Sequence, residues 1–217
     1  MALALFDLDR TVLSVNSAKL WITAEMEAGF ITRWQAMRAA AWIGTYHAGF
    51  TRLDKLVEEA IATLAGAREE DVRARTEAFY TRRIASTYRP GALETIQRHR
   101  EAGDTVALLT TSSTYLCAPV LRHLGLEHAL CNRFEVVEGV FTGKAAGPLC
   151  YAAGKVTHAQ AFAEAQGAAL AEATFYTDSM SDLPMLEAVG KPVAVNPDPR
   201  LRRLAQKRGW PVMDWGK

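Results

Sequence analysis

The chain has 217 residues, 49% hydrophobic and 23% charged, enough for one sizeable core plus a smaller insert. Its 25 Lys and Arg stand against 24 Asp and Glu, and a net charge of +1 supplies no field of the kind that phosphate-backbone binding requires, so no nucleic-acid partner is expected. The three cysteines, Cys117, Cys131 and Cys150, form no C-x-x-C pair and read as reduced thiols of a cytoplasmic protein rather than a disulfide frame or zinc site.

The apolar run from Met1 to Phe6 predicts a buried strand ending in Asp7-Leu8-Asp9-Arg10-Thr11. It lacks a basic leader and runs straight into that polar stretch, so no signal peptide is expected. In an open α/β sheet, ligands bind beyond the carboxyl ends of the strands. A strand that stops at Asp-x-Asp offers a nucleophile and a proton carrier together, and a plain acidic turn is the alternative. Residues 14–88 then show helical periodicity and few strand signals, as an inserted helical cap would. Within them Leu53, Leu56, Val57, Ala60, Ile61 and Leu64 recur at helical spacing. Just before, Trp42, Tyr46 and Phe50 fall on one stripe of the more apolar stretch 34–50, read first as core packing. Interrupted by Arg38 and His47, that stretch is shorter than the roughly 20 apolar residues needed to span a bilayer, so no stable membrane insertion is expected.

Pro90-Gly91 fits the first turn of a helix that reaches about Ala102 and is stopped by Gly103. Ala107-Leu108-Leu109 is a second apolar strand, and the hydroxyls that follow it, Thr110, Thr111, Ser112, Ser113 and Thr114, suit phosphate oxygens. Phe134 to Val137 and Val140 to Thr142 flank Glu138-Gly139 and predict a β-hairpin outside the parallel sheet. Lys155 opens a helix whose Val156, Ala159, Phe162 and Ala163 share a face, while Phe175-Tyr176-Thr177 is a strand that ends in Asp178-Ser179-Met180-Ser181-Asp182. Four such strand-end loops can converge on one crevice. His99, His123, His128 and His158 show no metal-ligand spacing, and surface roles suffice for them.

In this order, the four pieces resemble the haloacid dehalogenase superfamily of phosphatases, and more narrowly its phosphoserine phosphatase-like subfamily. Asp7, Asp9 and Thr11 match the first motif, Thr110 the second, Lys155 the third, and Asp178 with Asp182 the fourth. Pro192-Val193-Ala194-Val195-Asn196-Pro197 resembles the subfamily's closing strand without adding chemistry. The resemblance implies an α/β fold: a Rossmann-like open parallel sheet flanked by helices, residues 1–13 and 89–217, with the helical cap 14–88 inserted. It also implies phosphomonoester hydrolysis through an aspartyl phosphate. Asp7 is then the nucleophile and Asp9 the acid and base. Mg²⁺ is held by Asp7, the Asp9 main-chain carbonyl and Asp178. Lys155 supplies a second positive charge, Thr110 with nearby amides binds the phosphate oxygens, and Asp182 orients Lys155 or a metal-bound water. Thr11, Asn16, Thr111 and Ser112 are the expected substrate contacts. Each role has a local alternative: Thr110 as a helix cap, Lys155 as a solvated lysine, Asp182 as a helix-start charge.

Substrate choice departs from phosphoserine phosphatase itself. Nine residues after the nucleophile those enzymes place a glutamate against the substrate ammonium, where this chain has Asn16, which supplies no countercharge. The expected partner is a small phosphomonoester such as histidinol phosphate or phosphoserine. Lipid-phosphate hydrolysis and phosphotransfer are the alternatives, and a non-catalytic binding or regulatory protein a remote one.

Overall fold

The computed structural model describes residues 2–30 and 53–216. The stripe of Trp42, Tyr46 and Phe50, with Arg38 and His47, lies outside the described residues.

Six parallel strands form the central sheet in the order β3-β2-β1-β6-β7-β8. They are β1 (Leu3–Phe6), β2 (Thr105–Ser113), β3 (His128–Asn132), β6 (Thr174–Thr177), β7 (Lys191–Val195) and β8 (Val212–Met213). Both faces are covered, as all-parallel sheets require. The period of two in β1 shows how: Ala4 and Phe6 enter a core with Ile96, Val120 and Trp215, whereas Leu3 and Leu5 enter a second core with Ala159, Met185 and Leu201. Helices α4 (Pro90–Glu101) and α5 (Thr114–Leu124) carry the first core; α6 (Ala153–Ala165), α7 (Leu183–Ala188) and α8 (Pro199–Arg208) carry the second. α4 begins and ends as its sequence predicts, with Pro90 in its first turn, Ala102 at the C-cap and Gly103 at φ 74° beyond it.

Three described α-helices, α1 (Ser17–Glu27), α2 (Leu53–Ala62) and α3 (Glu69–Phe79), lie between Leu13 and Tyr88, within the stretch that joins β1 to α4. The segments that enter and leave this insert pair with each other: Leu13 bridges Tyr88, Ser14 N donates to Thr87 O at 2.8 Å, and Arg89 N donates to Val12 O at 2.9 Å. The predicted hairpin is present as β4 (Phe134–Val137) and β5 (Val140–Ala145). Glu138 and Gly139 at its tip have φ 50° and 77°, the two positive values of a type I′ turn. It packs on the insert, where Gly66 N donates to Phe141 O and Phe141 N to Ala67 O, each at 2.9 Å.

One histidine departs from expectation. His99 is not a surface residue but bridges Asp104 Oδ2 and the Tyr176 hydroxyl, both at 2.8 Å, under the edge of the first core. An imidazole with two polar neighbours can be half-buried without leaving a ring nitrogen unpaired.

Candidate active site

The carboxyl ends of β1, β2 and β6 are neighbours in the sheet, so the loops after them meet. Asp7 continues the ladder of β1, its N–H donating to Tyr176 O at 2.9 Å, which places it at the carboxyl end of the sheet. The chain then turns sharply. Asp9 is extended (φ −70°, ψ 126°) and Arg10 sits in the left-handed region (φ 61°), a conformation a side-chain-bearing residue adopts at a cost. Two bonds hold the turn: Arg10 N donates to Val15 O at 2.9 Å, and the Arg89 Nε donates to Arg10 O at 3.1 Å. Arg89 also donates to Gly216 O, so one guanidinium joins the turn to the C-terminal stretch.

Lys155, only 2% exposed, donates to Asp7 Oδ1 at 2.7 Å and to Asp182 Oδ2 at 2.9 Å. Asp182 Oδ2 also accepts from Thr177 Oγ at 2.7 Å. Thr11 lies on the other side of Asp7. Its hydroxyl accepts from Asp178 N at 3.0 Å and has Asp7 Oδ2 at 3.3 Å and Asp178 Oδ1 at 3.4 Å as recipients for its one proton. Thr11 is fully buried and spent on these bonds. Its hydroxyl, expected at the substrate, is engaged with the two acids.

Asp9 is aimed differently. Its Oδ1 accepts from Ser17 N at 2.8 Å, the first residue of α1, so a carboxylate of the loop after β1 is held by the insert. Asn16 is the N-cap of the same helix, its Oδ1 accepting from Lys19 N at 2.9 Å. The expected substrate contact thus has a structural occupation. Thr110, near the end of β2, is buried and accepts from Ser112 N at 3.1 Å, and Thr111 O accepts from Asn132 Nδ2 at 2.6 Å. Asn132 Oδ1 in turn accepts from Cys150 N at 2.8 Å, which ties the β2 loop to the segment leading into Lys155. Asn132 and Arg89 were silent in the sequence. Their one local signal is a polar side chain beside a strand end or a helix-starting proline.

Burial dominates the electrostatics. It pushes the Asp7 carboxyl up to about 7, against the pull of Lys155 and with help from Asp182. It lifts Asp178 to about 8, with Asp7 and Asp182 adding to the rise. Burial likewise raises Asp9, opposed by the Ser17 N–H. For Lys155 burial works against the charge, but Asp182 and Asp7 outweigh it and hold the ammonium above its ordinary range. Arg10 adds positive charge near Asp9 and Asp178, and Arg89 near Asp178, but only Lys155 is buried against the acids. Asp7 and Asp178 meet at one hydroxyl, that of Thr11, and carboxylate oxygens are the donors that a hard divalent cation takes. Among the described residues no three His, Cys, Asp or Glu side chains form a ready cage.

Residues 4–187 match the family model of the haloacid dehalogenase-like hydrolases. The chain belongs to that family. Among individual haloacid dehalogenase-like proteins, a phosphoserine phosphatase of Mycobacterium tuberculosis is 39% identical over 157 residues, 72% of this chain and 51% of the relative. This chain thus spans about half the length of that relative. A histidinol-phosphatase of Neisseria meningitidis is 28% identical and aligns over 98% of both chains. The crystal structure of a Bordetella pertussis protein of unknown function superposes with a TM-score of 0.91, at 33% identity and 99% coverage of both chains. No helix among the described residues is long and apolar enough to cross a membrane.

Proposed function

We propose that this haloacid dehalogenase-like protein is a phosphatase that hydrolyses small phosphomonoesters in two steps. Asp7 attacks phosphorus; the P–O bond to the leaving alcohol breaks while Asp9 gives that oxygen its proton. Asp9 then takes a proton from water, whose oxygen attacks the aspartyl phosphate, releasing inorganic phosphate and restoring Asp7. The observation that carries this reading is the buried chain of contacts running from Asp182 through Lys155, Asp7 and Thr11 to Asp178 at adjoining strand ends. Asp7, Asp178 and the Asp9 carbonyl would hold Mg²⁺, whose charge would offset repulsion between carboxylate and phosphate. Lys155 aims Asp7 and favours its ionised form against burial, and Thr110, Thr111 and Ser112 line the β2 side where phosphate oxygens would be bound. The raised Asp9 suits a group that must begin each cycle protonated.

Histidinol phosphate and phosphoserine are the first substrates to test, since both activities are named among the relatives. A panel of both compounds, sugar phosphates and a lysophosphatidate, with and without Mg²⁺, tests the reading. Mg²⁺-dependent phosphate release together with acid-stable labelling of wild type but not of Asp7→Asn is expected. Absence of release from every phosphomonoester would sink it, and phosphate delivered to an added alcohol in place of water would make the protein a phosphotransferase.

A further inference from the structure

Asp198 follows the closing strand motif and has no part in the chemistry above, yet it contacts both sides of the Asp178 loop. Its main-chain N–H donates to Asp178 O at 2.8 Å. Its carboxylate is divided between two neighbours. Oδ1 accepts from Arg200 N at 2.7 Å and Leu201 N at 2.9 Å, capping α8, while Oδ2 accepts from Met180 N at 2.7 Å. Thr11 holds the Asp178 N–H from the opposite side. The loop is therefore tied at Asp178 N, Asp178 O and Met180 N, and two of those ties belong to Asp198.

A helix cap needs one oxygen, and serine, threonine or asparagine supplies it as well as aspartate does. The second oxygen does nothing for α8. It instead satisfies the first N–H of the tight turn Met180–Asp182, which presents Asp182 to Lys155 and follows directly on Asp178. We propose that Asp198 is a positioning residue that sets the Asp178 carboxylate for a divalent cation, an inference that rests on the metal role of Asp178 proposed above. Groups that orient a metal ligand from behind typically matter by about 10–100-fold in metal affinity.

The test separates the two oxygens. Asp198→Ser keeps a cap acceptor for α8 but cannot also reach Met180. Titration of the metal-free protein with MgCl₂, followed by the rise in melting temperature, is expected to show a midpoint about 10–100-fold higher than wild type. The melting temperature without metal should stay near wild type, and kcat at saturating Mg²⁺ should largely recover. Should Asp198→Ser fold poorly, Asp198→Asn gives the same readout: with its oxygen on the two α8 amides, its NH₂ meets the Met180 N–H, donor against donor. A wild-type Mg²⁺ midpoint in either folded variant means that Asp198 is only a helix cap and overturns the proposal. Asp178→Ala distinguishes the levels of failure. If it too keeps the wild-type midpoint, the metal role of Asp178 falls and the Asp198 assignment with it; if it loses Mg²⁺ binding while Asp198→Ser does not, only the Asp198 assignment falls.

Discussion

The Asp7 cluster and the inserted helices are held by different kinds of contact. In the cluster the ion pairs of Lys155 with Asp7 and Asp182 are buried, and each partner would be left as an uncompensated charge if the other moved. In the insert, Trp21 of α1 packs edge-on against Phe79 of α3 at 5.1 Å between centroids, and Arg83–Glu27 and Arg73–Glu69 lie on the surface. Exposed pairs of that sort contribute about 0.2–1 kcal/mol each. The cluster is thus fixed by charges that have nowhere else to go, whereas the insert rests mainly on packing and exposed pairs, with one largely buried pair, Arg75–Glu25 at 3.0 Å, between α3 and α1. Asp9 is the point where the two meet, because a helix of the insert holds it.

The contrast breaks first at Asp7. Asp7→Asn is expected to lower turnover by at least about 10⁴-fold, as removal of a nucleophile does elsewhere, with the circular dichroism spectrum unchanged. Residual activity within tenfold of wild type would remove Asp7 from the mechanism. Asp9→Asn should cost about 10²–10⁴-fold, measured in the steady state with Mg²⁺ saturating. Lys155→Met should show the buried character directly: about 3–5 kcal/mol lost in urea unfolding, since Asp7 and Asp182 are left facing each other. A loss below 1 kcal/mol would mean that the pair is open to water.

Titration sharpens the same contrast. Asp7 and Asp178 both have folded-state values, about 7 and about 8, above the ordinary 3.8. A raised value means that the folded protein binds the proton more tightly than the unfolded chain, so this stabilisation is complete below about pH 4 and is lost as pH rises through 7 and 8. The metal-free protein should therefore melt at lower temperature at pH 8.5 than at pH 6, and MgCl₂ should remove most of the difference. A melting temperature that rises over this interval without metal contradicts the assignment. The smallest effect is expected at the junction. Asn16→Ala should cost about 1 kcal/mol through the lost cap and lower kcat/KM evenly across substrates, because α1 also anchors Asp9. A selective loss for one phosphomonoester would instead give Asn16 the specificity role that its place after the nucleophile loop implies.

Much of this site was legible because parallel strands bring their carboxyl ends together whatever lies between them. Asp7, Lys155 and Asp178 each follow or face an apolar strand, so contacts spanning 148 and 167 residues follow from topology rather than local pattern. The hairpin was legible from Glu138-Gly139, whose turn chemistry is local. Asn132, Arg89 and Asp198 were not, and Thr11, marked by its motif, gave no sign of the bonds it makes. Each acts by bonding a backbone group far along the chain, and nothing in residue type or spacing says which carbonyl or amide will stand beside it. Asn16 carries a local signal, an asparagine just ahead of a helix, that competes with the pocket role suggested by resemblance.

The pairing of Leu13 and Ser14 with Thr87 and Tyr88 has a consequence for descent. A segment whose ends already touch can be lengthened, exchanged or rebuilt without disturbing the strands on either side, because each doubling of a flexible connection costs only about 0.6 kcal/mol in closure entropy. To the sheet, the insert is one very long turn. Exchange of that turn would leave Asp7 and Asp178 on their strand ends, while Asp9 would follow whatever replaced Ser17.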